Sequence, residues 1–136
     1  MEDVIAVSAG TFHTLAITYD NTLWAWGSNY SSHRIHIFGM VIESPAPGLL
    51  GDGTDEDSNV PVMIMENIAS VSADRRHTLA VTTDGYLLAW GDIWDWQWDW
   101  HDVGRDDGYW ELHPINPDFV VPLVPVKIMD GILLPN

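Results

Sequence analysis

Short apolar segments rich in β-branched residues alternate with turn residues along this chain. The pattern predicts strands at residues 4–9, 13–18, 23–26 and 62–64, and again at 68–73, 77–82, 87–90 and 126–128. Asp20 and Asp84 begin two-residue turns that tolerate positive φ, as a tight hairpin requires. Pro61 and Pro125 are predicted to precede the fourth strands, where a missing N–H costs no ladder bond. No segment shows sustained helical periodicity, so the pattern predicts an all-β fold of four-stranded antiparallel units.

The two series of strands are copies of one unit. Residues 4–27 align with residues 68–91 at an offset of 64, and thirteen of these twenty-four positions are identical. A fixed period of this length indicates a repeat architecture, in which one unit cannot bury its apolar face alone. The chain is therefore divided into units at residues 1–67 and 68–136.

Each unit carries a long insertion between its third and fourth strands. The first insertion covers residues 32–47 and is predicted to form a small hairpin around a glycine at position 39. The second covers residues 92–119, and in it four tryptophans alternate with polar residues: Trp94, Trp96, Trp98 and Trp100. A period of two places all four on one face of a strand. The segment that begins with Tyr109 and Trp110 is predicted to pair with this strand, which gives a hairpin with an aromatic face.

Three interpretations of the aromatic face stay open. It packs on the neighbouring insertion or blade, because four exposed tryptophans would favour aggregation. It binds a protein, because large rigid aromatic side chains are frequent at binding hot spots. It binds a glycan or a cationic ligand through stacking or cation–π contacts. Because functional residues often lie on loops that a rigid scaffold carries, the candidate partner-binding residues are Trp94, Trp96, Trp98, Trp100, Tyr109 and Trp110.

The first unit also contains a long ordered motif: Val-Ser-Ala-Gly from residue 7, His-Thr-Leu-Ala-Ile-Thr from 13, Leu-Trp-Ala-Trp-Gly from 23 and Leu-Gly-Asp-Gly-Thr from 50. This motif resembles the RCC1 (regulator of chromosome condensation) repeat. The resemblance covers the first unit except its insertion, and residues 68–91 and 124–132 of the second. It implies that each unit is one blade of an RCC1-like β-propeller. Proteins of this family fold as propellers with seven blades.

Two units are too few to close a propeller, since propellers have roughly 4–8 blades. We expect the chain to be part of a longer protein, or to assemble with copies of itself through open blade edges. The strand-like residues 132–134, where a third unit would begin, favour the first of these.

His13 and His77 recur at equivalent positions and are predicted to make a scaffolding hydrogen bond. Gly10 is replaced by Asp74 in the second unit, where we expect a local distortion of the backbone.

The charge balance is strongly acidic, with twenty Asp and Glu against five Lys and Arg and a net charge of −15. Such a field repels phosphate backbones, so the sequence predicts no direct binding of DNA or RNA. The acidic charge attracts basic partners, although a role in solubility alone also explains it.

The absence of cysteine excludes disulfides and thiol catalysis. No apolar run reaches the roughly 18 residues of a spanning helix, so no membrane partner is predicted; the compartment is left open.

Metal binding and catalysis receive little support from the sequence. Asp55, Asp57 and Asn59 have the spacing that opens a calcium loop, but Val60 occupies the position where that loop needs glycine. The histidines of the two insertions match no zinc pattern. No nucleophile triad, phosphate-binding loop or HExxH motif is present. The sequence therefore predicts a protein that is not an enzyme and has no cofactor and no metal site.

The combined pattern predicts a protein-interaction scaffold that contacts a protein partner through its insertions, and the acidic charge favours a basic partner. The resemblance leaves two alternatives. Founding RCC1 members are guanine-nucleotide exchange factors for a small GTPase, and some bacterial members are enzyme-inhibiting propellers.

Overall fold

The computed structural model describes residues 1–37, 40–92, 96–101, 109–114 and 122–130. The strands within these ranges are β1 (Val4–Ala9), β2 (His13–Thr18), β3 (Leu23–Gly27), β4 (Tyr30–Ile37), β5 (Met40–Pro47), β6 (Ser58–Met65), β7 (Ile68–Ala73), β8 (His77–Thr82), β9 (Leu87–Gly91), β10 (Trp96–His101), β11 (Tyr109–Pro114) and β12 (Val126–Met129). The described residues contain no helix, and hence none that could cross a membrane. Residues 132–134, which resemble the start of a further unit, lie outside the described residues.

Eight of these strands form two equivalent antiparallel sheets of four strands. The first, called blade 1, has the order β1-β2-β3-β6, and the second, called blade 2, has the order β12-β9-β8-β7. The registers match as well: His13 pairs with Gly27 in blade 1 as His77 pairs with Gly91 in blade 2. The predicted all-β class with four-stranded antiparallel blades is confirmed. The division at residues 67 and 68 falls between β6 and β7 and stays a prediction about domains.

The β2–β3 turn follows directly from its residues. Asn21 has a φ of 62°, and the Thr18 N–H donates to the carbonyl oxygen of Thr22 at 3.0 Å. Asp20 accepts from the hydroxyl of Thr18 at 2.7 Å and from the N–H of Thr22 at 3.3 Å, which lowers the pKa of its carboxyl. Short polar side chains that bond to nearby backbone stabilise such turns. Gly85, with a φ of 82°, takes the equivalent position in blade 2.

Strand β6 is longer than the sequence predicts. It begins at Ser58 and contains Pro61, so the prediction that this proline precedes the strand is wrong. Strand β6 lies at an edge of blade 1, and its register with β3 shifts between the Ala25–Val62 and Gly27–Ser58 pairs. A residue without an N–H breaks no regular ladder bond there. In blade 2 the corresponding proline precedes β12 as predicted.

Blade 2 is not distorted at Asp74, contrary to the expectation. The N–H of Asp74 donates to the carbonyl oxygen of His77 at 3.0 Å, and that of Gly10 donates to His13 at 2.9 Å, so the two turns are alike. Neither Gly10 nor Asp74 has a positive φ. A Cβ placed on Gly10 would instead lie 2.5 Å from the carbonyl oxygen of Asp74. Glycine is therefore needed at position 10 because the two blades approach each other closely there, and not because of the turn.

The core lies between the two blades, which pack face to face. Blade 1 contributes odd-numbered positions of β2 and β3, and blade 2 contributes even-numbered positions of β8 and β9, as the period of a strand requires. The buried cluster consists of Leu15, Ile17, Leu23, Ala25, Leu50, Ile68, Ala80, Leu88 and Trp90. Each blade thus buries its apolar face against its neighbour, as a repeat architecture implies.

Candidate functional site: the blade junction and the inserted hairpins

Residues 48–54, here called the junction loop, lie between β5 and β6 of blade 1 and contact blade 2. Fully buried Asn29 holds this loop: its Oδ1 accepts from the N–H of Leu50 and its Nδ2 donates to the carbonyl oxygen of Thr54, both at 2.8 Å. Asp52 accepts from the N–H and from the hydroxyl of Thr54, both at 2.9 Å. The loop conformation is therefore fixed by side chains of its own blade.

The carbonyl oxygen of Leu49 is the point at which the junction loop meets blade 2. It accepts a hydrogen bond from the Thr78 hydroxyl at 3.1 Å and another from the Trp90 Nε1–H at 3.0 Å. Thr78 and Trp90 are register partners on β8 and β9, and both are fully buried. A Cβ on Gly51 would lie 2.6 Å from Trp90 Nε1, so the backbone of the loop rests directly on the indole. Thr78 and Trp90 thus form a socket for a Leu-Leu-Gly segment.

His13 of β2 also bonds to this socket, through the Thr78 hydroxyl. Its Nε2 lies 2.9 Å from the Thr78 hydroxyl oxygen. That hydroxyl has one hydrogen, which goes to Leu49, so the oxygen accepts from a protonated Nε2 and the His13 Nδ1 carries the lone pair. Among the described residues Nδ1 has no hydrogen-bond partner. Burial lowers the pKa of His13 to about 4, with His77 contributing in the same direction and Asp74 opposing. The predicted scaffolding bond is confirmed for His13.

His77 occupies the equivalent position but faces the side of blade 2 that blade 1 does not cover. Its side chain is about one-third exposed, and its Nδ1 lies 3.7 Å from a carboxylate oxygen of Asp74. The same histidine of the repeat therefore bonds to the next blade from a buried position in one unit and is about one-third exposed in the other.

The acidic residues near the junction loop bond to backbone and hydroxyl groups. Asp57 Oδ1 accepts from the N–H of Asn29 at 2.7 Å and from the hydroxyl of Ser28 at 3.1 Å. Within the described ranges no three His, Asp or Glu side chains stand close enough to hold a metal ion. Asp57, weighed above as part of a calcium loop, instead fixes the start of the first insertion.

Both insertions leave their blades through the same backbone geometry. The N–H of Ser28 donates to the carbonyl oxygen of Phe12 at 2.8 Å, and the N–H of Asp92 donates to that of Arg76 at 2.7 Å. The Arg76 guanidinium also contacts the buried carboxylate of Asp92 at 3.1 Å. Each insertion contains a two-stranded sheet of its own, β4–β5 or β10–β11. Both predicted hairpins are confirmed.

The second of these, here called the tryptophan hairpin, contains most of the predicted partner-binding residues. Trp96 and Trp98 lie on β10, and Trp100 pairs in register with Trp110 of β11. Tyr109 begins β11 opposite His101 of β10. Trp94 lies outside the described residues. The backbone register therefore brings two aromatic positions, 100 and 110, directly opposite each other.

The sequence reasoning missed the residues of the blade junction. Neither Asn29 nor Leu49 stands out in the sequence, where Leu-Gly-Asp-Gly-Thr is recognisable only as part of the repeat motif. A signal was present in the comparison of the two units. Asn29 and the junction loop have no counterpart in the second unit, whose junction would lie on the uncovered side of blade 2.

The fold and the junction define the class of this protein: two successive blades of a β-propeller, of which the first contacts the second through its junction loop. The chain contains two RCC1 repeats: residues 4–32 and 68–92 match the model of the regulator of chromosome condensation (RCC1) repeat. These segments contain the strands β1–β3 and β7–β9.

Known proteins with this repeat are much longer than the matching segment. Protein pim1 of Schizosaccharomyces pombe is 30% identical over 91 residues, which cover 67% of this chain and 16% of pim1. The crystal structure of human WBSCR16 matches with a TM-score of 0.57 at 18% identity, over 93% of this chain and 25% of that one. Prp20p from Saccharomyces cerevisiae, described with its binding properties to Gsp1p and histones, matches with a TM-score of 0.54 at 18% identity, over 92% of this chain and 25% of that chain. The chain thus spans about a sixth of its curated relative's length.

Proposed function

We propose that this chain is part of a protein-interaction scaffold and that the tryptophan hairpin is its main contact surface. The observation that carries the proposal is the separate sheet β10–β11, which lies outside both four-stranded blades and pairs Trp100 with Trp110. The partner-binding residues would be Trp94, Trp96, Trp98, Trp100, Tyr109 and Trp110. Aromatic residues of this kind dominate the energetics of protein interfaces.

The partner is a protein with a basic surface. The net charge of −15 gives the chain a field that attracts cationic surfaces and speeds their encounter. The likeness to Prp20p supplies suitable probes, since that protein is described as binding Gsp1p and histones. Of the two, histones fit the proposal better because they are basic.

The test replaces Trp96, Trp98 and Trp100 together with serine in the full chain. Binding to purified histones and to Gsp1p is then measured by biolayer interferometry at two salt concentrations. We expect the substitution to weaken binding at least about tenfold, as the loss of hot-spot aromatics predicts, with an unchanged thermal melting curve. A melting temperature that falls steeply would show that these tryptophans belong to the core, and unchanged binding would show that another surface is used.

The matched control changes the other insertion. Serine in place of Ile35 and Ile37 on β4 alters a hairpin that leaves blade 1 in the same way as the tryptophan hairpin leaves blade 2. This variant is expected to bind histones as the wild type does. Equal loss in both variants would indicate that the two hairpins form one surface, or that neither acts specifically.

Nucleotide exchange on a small GTPase is the second candidate, favoured by the likeness to Prp20p and its binding to Gsp1p. A release assay with a fluorescent nucleotide on Gsp1p tests it directly. Acceleration by the full chain would establish exchange activity, and a rate equal to that without the chain would exclude it for this GTPase.

A further inference from the structure

Thr54, the last residue of the junction loop, is followed by three acidic residues, Asp55, Glu56 and Asp57. No other serine or threonine in the sequence has an acidic residue three positions further on. All four residues are exposed and lie outside the strands, directly before β6 begins at Ser58. A hydroxyl at the head of an exposed acidic segment fits a protein kinase with a basic substrate groove, because kinases select their substrates by charge pattern.

The hydroxyl of Thr54 takes part in the hydrogen bonds that fix the junction loop. It donates to Asp52 Oδ1 at 2.9 Å and accepts from the N–H of Glu56 at 3.3 Å. The Nδ2 of Asn29 lies 3.4 Å from the same hydroxyl oxygen and 2.8 Å from the Thr54 carbonyl oxygen. A chemical change at this hydroxyl therefore acts directly on the contacts that hold the loop to its own blade.

The junction loop in turn contacts two parts of the second unit. The Leu49 carbonyl oxygen accepts from the Thr78 hydroxyl and the Trp90 indole N–H. The N–H of Gly53 donates to the carbonyl oxygen of Leu123 at 2.9 Å, in the segment that leads from the second insertion to β12. One loop thus contacts both the socket of blade 2 and the base of the insertion that contains the tryptophan hairpin.

We infer that Thr54 is a phosphorylation site and that its phosphorylation opens the contact between the two blades. An acid-directed protein kinase transfers the γ-phosphoryl group of Mg²⁺-bound ATP to Thr54 Oγ1. The bond from that phosphorus to the ADP oxygen breaks, the bond to Oγ1 forms, and the hydroxyl proton passes to the catalytic base of the kinase. The product lacks the hydrogen that bonded to Asp52 and places roughly two negative charges beside that carboxylate.

Repulsion between these charges favours a released loop. Asp52 and the three acidic residues at 55–57 all lie within three positions of the new phosphate. Like charges at such short range destabilise the arrangement that brings them together. In the released loop Leu49 no longer accepts from Trp90. The phosphate therefore acts on blade 2 through the loop, and this effect does not depend on the tryptophan hairpin binding a partner.

The closed loop restricts the access of the kinase to Thr54. Asp57 Oδ1 accepts from the N–H of Asn29 at 2.7 Å, and Thr54 is bonded to the same asparagine. The substrate groove receives residues 54–57 only after these bonds open, so the rate of phosphorylation follows the population of the open loop. Phosphate added to the open loop prevents it from closing again. The modification thus records an opened junction and maintains it.

The first test incubates the full chain with a purified acid-directed casein kinase and ATP, and maps phosphate by mass spectrometry. We expect phosphate at Thr54 in the wild type and none at position 54 in Thr54→Val. The matched control is Thr83→Val, because Thr83 is also exposed and is followed by one acidic residue only; it is expected to be phosphorylated at Thr54 as the wild type is. Absence of phosphate at Thr54 in the wild type, while casein in the same tube is phosphorylated, overturns the inference. Equal phosphorylation at Thr83 also does so.

The second test measures whether the loop controls access. Asn29→Ala removes the bonds that close the loop and is expected to raise the initial rate of phosphorylation at Thr54 by about tenfold or more. Asn59→Ala, at an exposed position outside the loop, is expected to leave the rate unchanged. Circular dichroism before the assay confirms that each variant is folded. The same rate in folded Asn29→Ala and in the wild type contradicts control by the loop.

The third test follows blade 2 in the phosphorylated wild type. The indole N–H of Trp90 reports the junction, because it donates to Leu49 at 3.0 Å. We expect phosphorylation to accelerate its hydrogen exchange, measured by NMR, by about tenfold or more. Thr54→Val lacks the hydroxyl but carries no charge, and is expected to accelerate this exchange less. A phosphorylated chain in which Trp90 exchanges as in the unmodified chain overturns the opening of the junction, and equal acceleration in Thr54→Val overturns the role of charge.

Discussion

Replacing Gly10 with alanine is expected to push the two blades apart. The new Cβ would lie 2.5 Å from the carbonyl oxygen of Asp74 and 2.7 Å from Cε1 of the His13 ring. Neither group can move freely, because one is backbone in a turn and the other is buried and bonded to Thr78 at 2.9 Å. The strain therefore falls on the contact between β1–β2 and blade 2.

The size of the effect follows from two opposing terms. Overpacking of a closely packed contact costs roughly 1–3 kcal/mol. Alanine in place of glycine at a compatible φ returns about 0.4–1 kcal/mol by restricting the unfolded chain, and Gly10 does not have a positive φ. The expected net loss is about 1–2 kcal/mol, which shifts the midpoint of urea unfolding by roughly 1 M for a small domain.

The assay is urea unfolding followed by far-ultraviolet circular dichroism, with Asp74→Ala as the matched control. Asp74 has the equivalent turn, but its side chain is about two-thirds exposed on the uncovered side of blade 2, so its replacement is expected to change stability by less than about 0.5 kcal/mol. Equal midpoints for Gly10→Ala and the wild type would refute the assignment of Gly10 to the blade contact. A large loss in Asp74→Ala would show that the turn, and not the contact, limits both positions.

Two further predictions concern the junction. The pKa of about 4 for His13 lies below the 6.5 of an unfolded histidine, so the unfolded chain binds a proton that the folded chain does not. The stability that depends on neutral His13 is therefore complete above about pH 6.5 and falls as the pH drops towards 4, by at most about 3 kcal/mol. Urea midpoints across this range, compared with His13→Gln to separate out the carboxylates, check this, and parallel curves would contradict it. Asn29→Ala is expected to lower the free energy of unfolding by about 2–4 kcal/mol, because it leaves the N–H of Leu50 and the carbonyl of Thr54 without partners in the interior. Thermal unfolding measures this loss, with Asn59→Ala at an exposed position as the control. A loss no larger than that of the control would count against the prediction.

The strands could be predicted from the sequence because each one is specified locally. Alternating apolar residues and a turn at Asp20 or Asp84 fix β2 and β3, or β8 and β9, without reference to distant residues. The start of β6 could not be predicted in this way. Pro61 is compatible with a strand only because β6 is an edge strand with a shifted register, and both properties depend on the pairing of residues more than thirty positions apart.

The junction escaped prediction for a related reason. Asn29 reaches residues 50 and 54 of its own blade, and Leu49 reaches residues 78 and 90 of the next one. Such contacts leave no periodic pattern in the chain. The tryptophan hairpin is the opposite case, because its alternation is local. Its pairing was therefore predicted correctly, whereas the contribution of its side chains to binding stays a prediction.

Identical residues in the two units have different surroundings because a blade has two faces. His13 is buried and bonded to the next blade, whereas His77 lies at an uncovered surface. Thr78 donates to a loop of the preceding blade, whereas no loop among the described residues offers an acceptor to Thr14. Identity between the units therefore reports the geometry of a single blade and cannot report which faces are covered. The positions that differ depend on whether a face is covered by a neighbouring blade. Position 10 is glycine where position 74 is aspartate, and only the first unit has the junction loop. The contact between the blades therefore needs both kinds of residue: His13, Thr78 and Trp90 are shared by the two repeats, whereas the loop that carries Leu49 belongs to one repeat alone.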